Sequence, residues 1–63
     1  MSEKDIIVMH LQSAEYSIEQ YRKHLLNTGK TATAHACKED AAALRDLIRR
    51  IQSGEIVIND RAL

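Results

Sequence analysis

Ile7, Leu11, Ala14, Ile18, Tyr21 and Leu25 fall at spacings of 4, 3, 4, 3 and 4 between Asp5 and Asn27. A strand would show apolar residues at every second position, whereas this period is the heptad seam of a long amphipathic helix. A second seam answers it in Cys37, Ala41, Leu44, Ile48 and Ile51, again at 4, 3, 4, 3. Asn27-Thr28-Gly29-Lys30 separates the two. The pattern predicts an all-α chain, an antiparallel helical hairpin with helices over about residues 3–27 and 32–53 and a short extended tail over 55–63. At 63 residues the whole of 1–63 makes one domain.

The ends of each helix carry their own signals. Ser2 suits the N-cap, and Glu3 and Asp5 place negative charge where the helix dipole favours it. The chain has no proline to interrupt the first helix. Glu19 is spaced to pair with Lys23, and Arg22, Lys23 and His24 gather at the C-terminal turn. Gly29 is the residue to take the left-handed conformation that ends the helix. Thr31 or Thr33 is expected to cap the second helix, Asp46 to pair with Arg50, and Gly54 to close it.

The second helix has the wider apolar face. Ala36, Ala43 and Leu47 flank its seam, and Ala34, Ala36, Ala41 and Ala43 permit close helix approach. This helix is expected to lie deepest in any bundle. Beyond it, Ile56-Val57-Ile58 is a β-branched run that suits an extended strand, which would need a partner strand to be stable.

Size then bears on assembly. So short a chain has a poor ratio of volume to surface. A single cysteine makes no internal disulfide, and Tyr16 and Tyr21 are the sole aromatics. Two helices side by side also leave half of each apolar stripe wet. Self-association is the expected remedy, most simply a homodimeric four-helix bundle. Its core would comprise Ile7, Leu11, Ile18, Tyr21, Leu25, Ala41, Leu44, Ile48 and Ile51.

The candidate chemical sites each give way to a plainer reading. Gly29-Lys30-Thr31 resembles the end of a phosphate-binding loop, but the required earlier glycine is His24 and a helix precedes it instead of a strand. His35 and Cys37 are two apart and point to different helix faces. His10 and His24 stand about 21 Å apart along the helix. No zinc-ligand spacing exists, so no metal and no cofactor is expected. No nucleophile elbow is present. Glu15 and Glu19 share one face, expected to be solvated with Lys23 beyond it. A hairpin of this size is expected to lack a small-molecule pocket unless oligomerisation makes one.

Nine Lys and Arg balance nine Asp and Glu, so there is no overall field of either sign. The most basic surface is Lys38, Arg45, Arg49 and Arg50. Asp46 interrupts it, and long matched helices do not suit a helix-turn-helix reader. Ile6 to Met9 would have to become a strand for the ribbon-helix-helix alternative. On the outside of the first helix, Met9 and Tyr16 lie opposite the seam, with Val8 and Leu26 also off it. Such a stripe is expected either to meet another bundle surface or to bind a partner protein.

The sequence therefore predicts a small non-enzymatic regulator or inhibitor that homo-oligomerises and binds another protein, as antirepressors and adaptors do. Its size also suits accessory proteins of phages or mobile elements. The expected partner surface is Met9 and Tyr16, joined by Ile56, Val57 and Ile58 in the tail. The alternatives are a DNA-binding regulator using Lys38, Arg45, Arg49 and Arg50, or a structural assembly subunit. No signal peptide or membrane span is read, and a lone cysteine fits a reducing cytoplasm.

Overall fold

The computed structural model describes residues 2–59, and positions 60–63 of the expected tail lie outside the described residues. Two helices make up the fold, α1 over Glu3–Asn27 and α2 over Thr31–Gln52. Among the described residues there is no strand. The helices run antiparallel: Glu15 reaches Arg45, and Val8 near the start of α1 packs with Ile48 and Ile51 near the end of α2.

Local chemistry accounts for the ends of α1. Ser2 caps it, its Oγ accepting from the Asp5 amide at 3.2 Å, with Glu3 and Asp5 in the first turn. At the other end Gly29 turns left-handed at φ +78°. The Gly29 amide donates to the Leu26 carbonyl at 3.2 Å and the Lys30 amide to Leu25 at 2.9 Å. This Schellman arrangement satisfies carbonyls that the ending helix leaves unpaired.

The turn also settles where α2 begins. Lys30 itself takes the N-cap position, without a side-chain cap, and the Ala34 amide donates to its carbonyl at 3.0 Å. Neither Thr31 nor Thr33 is the cap. The Schellman bonds turn the chain so tightly that Thr31 already lies within the first helical turn. Gly54 ends α2 as the sequence predicts, at φ +84°.

Burial is sparse. The buried apolar residues are Val8 and Leu25 on α1, and Ala34, Ala41, Ile48 and Ile51 on α2. On α2, Cys37 and Leu44 are half-buried along the same line, so its seam runs as the sequence indicates and extends back to Ala34. α2 supplies four of these six, but Ala36 and Ala43, expected to widen its apolar face, are exposed because a single neighbouring helix covers one line of the surface.

The seam of α1 lies elsewhere than its apolar period suggests. Leu11, Ile18 and Leu25 face α2 with Val8, Glu15 and Arg22, and Ile7 packs at the open end as the sequence predicts, but Ala14 and Tyr21 do not join them. At 100° per residue the contact line is turned by roughly 50° around the helix. Val8, expected off the seam, is buried, while Ala14 is exposed and Tyr21 is 55% exposed. In this rotation Val8 packs with Ile48 and Ile51, and Glu15 meets Arg45 along the same line.

The tail departs from a strand as well. Gly54 reverses the chain, and the Ile56 amide donates to the Arg50 carbonyl at 3.0 Å. Ile56 and Ile58 then pack on the cluster of Val8, Ile48 and Ile51, with Ile7, Leu11 and Leu47 around it. Val57 between them is 72% exposed. The in-out-in alternation of an extended segment is kept. Its apolar side is satisfied by the open end of the hairpin and not by a second strand.

Ile51 is among the most deeply buried large side chains. Its replacement by alanine should lower stability by about 2–5 kcal/mol. Gln20→Ala on the exposed back of α1 should change stability by no more than about 0.5 kcal/mol. Urea denaturation monitored by circular dichroism measures both.

Candidate functional site

The two flanks of the hairpin differ in chemistry. One is charged. Arg45 on α2 spans to α1, its Nε donating to Glu15 Oε2 at 2.9 Å and its terminal nitrogen lying 2.9 Å from the same oxygen. The same nitrogen lies 3.7 Å from Glu19 Oε1, and Glu19 in turn takes Arg22 at 2.9 Å. A four-membered run of alternating charge thus stitches the helices along this side. Glu15 and Glu19 are half-buried here and are not on a solvated face. Glu19 pairs with Arg22 and Arg45 in place of the expected Lys23.

Toward the end of α2 the remaining arginines are also matched. Asp46 accepts from Arg49 at 2.8 Å and from Arg50 at 2.8 Å, the second as the sequence predicts, and Arg50 also approaches Glu55 at 3.8 Å. The hydrogen bond from Arg49, aided by the nearby charge of Arg50, holds the Asp46 carboxyl below the ordinary carboxylate range. The same contact raises Arg49. Of the four cations expected to make a nucleic-acid surface, Arg45, Arg49 and Arg50 each face a carboxylate, which offsets their attraction for phosphate.

This flank also holds a groove of about 620 Å³ lined by Gln12, Glu15, Ala42, Arg45, Asp46, Ile48, Arg49 and Gln52. The volume is larger than expected of so small a chain and falls in the range of ligand sites. It is open to solvent, however, and its charged groups are engaged with each other. Among the described residues no group of three or more His, Cys, Asp or Glu side chains could hold a metal ion. His35 pairs with Glu39 at 3.1 Å, and Cys37 is a free, half-buried thiol.

The other flank is apolar. Ala14, Ile18 and Tyr21 lie on it from α1 and Cys37 and Leu44 from α2, with Ile7 and Leu47 packed on the cluster at the open end. Tyr21 stacks on His24 with ring centroids 6.4 Å apart. The back of α1, away from α2, carries Met9 and Tyr16, and Tyr16 is 67% exposed. Of the residues expected to bind a partner, Met9, Tyr16 and Val57 are thus accessible, whereas Ile56 and Ile58 are turned into the chain's own cluster. The five residues therefore do not form one surface.

No protein-family model, curated protein or solved structure matches this chain. No helix among the described residues is long and apolar enough to cross a membrane.

Helical spacing alone hides the Glu15–Arg45 link, because it offers each residue nearer partners along its own helix. The antiparallel register carries the missing signal, since it places position 15 opposite position 45 once the turn at Gly29 is set.

The charged flank is testable in two ways. A double-mutant cycle on Glu15 and Arg45 should return a coupling of about 0.2–1 kcal/mol that shrinks in high salt, as befits a pair open to water on one side. Asp46 has a folded pKa below its unfolded value. Its contribution is therefore complete above the unfolded value and is lost as pH falls through the folded one. Only acidification through that folded value, below the ordinary 3.8, should release Arg49 and Arg50. A carboxyl NMR titration of Asp46, native against denatured, measures the difference.

Proposed function

We propose that this chain is a non-enzymatic regulatory or inhibitory protein that works as a homo-oligomer and binds another protein, in the manner of an inhibitor, antirepressor or adaptor. The observation that carries the reading is the placement of exposed apolar side chains on the back of α1. Met9 and Tyr16 stand one heptad apart there, with neither side chain in the seam against α2. Aromatic and methionine side chains of this kind supply much of the contact energy in protein interfaces. Val57 offers a further apolar contact at the tail. The free Cys37 suits a reducing compartment such as the cytoplasm.

DNA binding through Lys38, Arg45, Arg49 and Arg50 draws less support, because the three arginines are already matched by Glu15, Glu19, Asp46 and Glu55. That alternative requires duplex binding that weakens steeply with salt.

The deciding experiment compares capture from the source cell by the wild type and by the Met9→Ser, Tyr16→Ser double variant. The expected result is loss of the captured protein with helicity and oligomeric state unchanged. Retained capture by an intact double variant removes this surface, and Val57→Asp then tests the tail without disturbing Ile56 or Ile58. A wild type that captures nothing but itself supports a structural subunit instead.

A further inference from the structure

We infer that the apolar flank formed by Ile18, Tyr21 and Leu44 is covered by a second copy of this chain, with the charged flank and the back of α1 left outside. The inference deepens the homo-oligomeric part of the proposed function by assigning the surface that performs it.

Three observations lead to this occupant. The first is area. The chain exposes 4785 Å² for a mass of 7.1 kDa, whereas a compact monomer of that mass exposes about 4,100 Å². The excess of about 700 Å² is close to the roughly 800 Å² that each partner contributes to a standard protein interface. The radius of gyration agrees, at 14.4 Å against about 11 Å for a compact chain of this length.

The second is the width of the apolar stripe on α1. Leu11, Ile18 and Leu25 form a shared edge between two seams. Positions 8, 15 and 22 complete the seam toward α2. Positions 14 and 21 lie beyond that edge, away from α2, while Ile7 packs against the cluster of Val8, Ile48 and Ile51. Together they span roughly 140° of the helix surface, with Glu15 and Arg22 interrupting the apolar stripe on the side toward α2. A helix packed against one neighbour needs a narrower stripe, whereas a helix in a four-helix bundle packs against two.

The third is the segregation of charge. Glu15, Glu19, Arg22 and Arg45 all lie on the opposite flank and satisfy each other there. The flank left open carries Tyr21 beside Ile18 and Leu44, a tyrosine being favoured at interfaces, with Asp40 on the same face of α2 between Cys37 and Leu44. The tail limits its extent. Ile56 and Ile58 already pack beside Ile7 and Leu47 at the open end of the hairpin, so the second copy is centred on the middle of the helices. A surface that meets its own copy forms a closed twofold pair, which explains why one flank suffices.

The two tyrosines provide a test in the wild-type protein. Within one chain both side chains are more than half exposed, at 67% for Tyr16 and 55% for Tyr21. The single hairpin therefore predicts similar reactivity toward tetranitromethane. Coverage by a second copy predicts that Tyr21 is nitrated several-fold more slowly than Tyr16 at micromolar concentration, with the difference lost on dilution. Sedimentation equilibrium should give twice the chain mass under the protected condition. Tyr21→Glu should shift the protein to monomer, and Tyr16→Glu should not.

Equal nitration of the two tyrosines, or protection of Tyr16 alone, overturns the assignment. So does a wild type that sediments as a monomer. A monomer that still captures a partner through Met9 and Tyr16 would fail this inference and leave partner binding standing. A dimer with Tyr21 protected that captures nothing would do the reverse.

Discussion

Two helices laid side by side touch along one line of side chains, and in this hairpin the line is thin. Alanine occupies two of its buried positions, Ala34 and Ala41, and no large side chain is completely enclosed. Close approach at the alanines brings the backbones together and strengthens dispersion contact. It also limits how much apolar area the contact removes from water. The rest of the molecule is arranged around that limit: a tail that folds back to thicken one end, a charged stitch along one side, and an apolar side with no cover of its own.

The tail and the stitch act at different places. Ile56 and Ile58 enlarge the cluster of Val8, Ile48 and Ile51 where α1 begins and α2 ends. Leu25 and Ala34 hold the end beside the turn. Between them Glu15 meets Arg45 across the seam. A partly exposed ion pair adds little stability. In this rotation of α1, Val8 and Glu15 turn toward α2 while Ala14 and Tyr21 turn to the flank. The same rotation that closes the charged side opens the apolar one.

That division gives a physical meaning to a helix with more apolar surface than its own partner covers. The surplus is not spread evenly. One part is Tyr21, beside Ala14 on the flank adjacent to the intrachain seam. The other part is the pair Met9 and Tyr16 on the back. The two lie at different angles about one helix axis.

The helices themselves were legible in the residues. The heptad spacing, Ser2 at one end and Gly29 and Gly54 at the others set their existence and nearly their limits, because these features act within one or two turns of the chain. The seam of α2 was legible for the same reason, and Cys37, Ala41, Leu44, Ile48 and Ile51 are all buried or half-buried along it. What tertiary structure decided was relative. Which of two adjacent lines on α1 meets α2 is fixed by contacts between distant residues, Val8 with Ile48 and Ile51, and Glu15 with Arg45 thirty positions away. The β-branched tail became a packed cap and not a strand because the open end of the hairpin offered apolar contact to Ile56 and Ile58, whereas no strand edge was present among the described residues. Local periodicity names the apolar residues of a helix. Only the approach of the second helix selects which of them it covers, because that selection balances side chains brought together from distant parts of the chain.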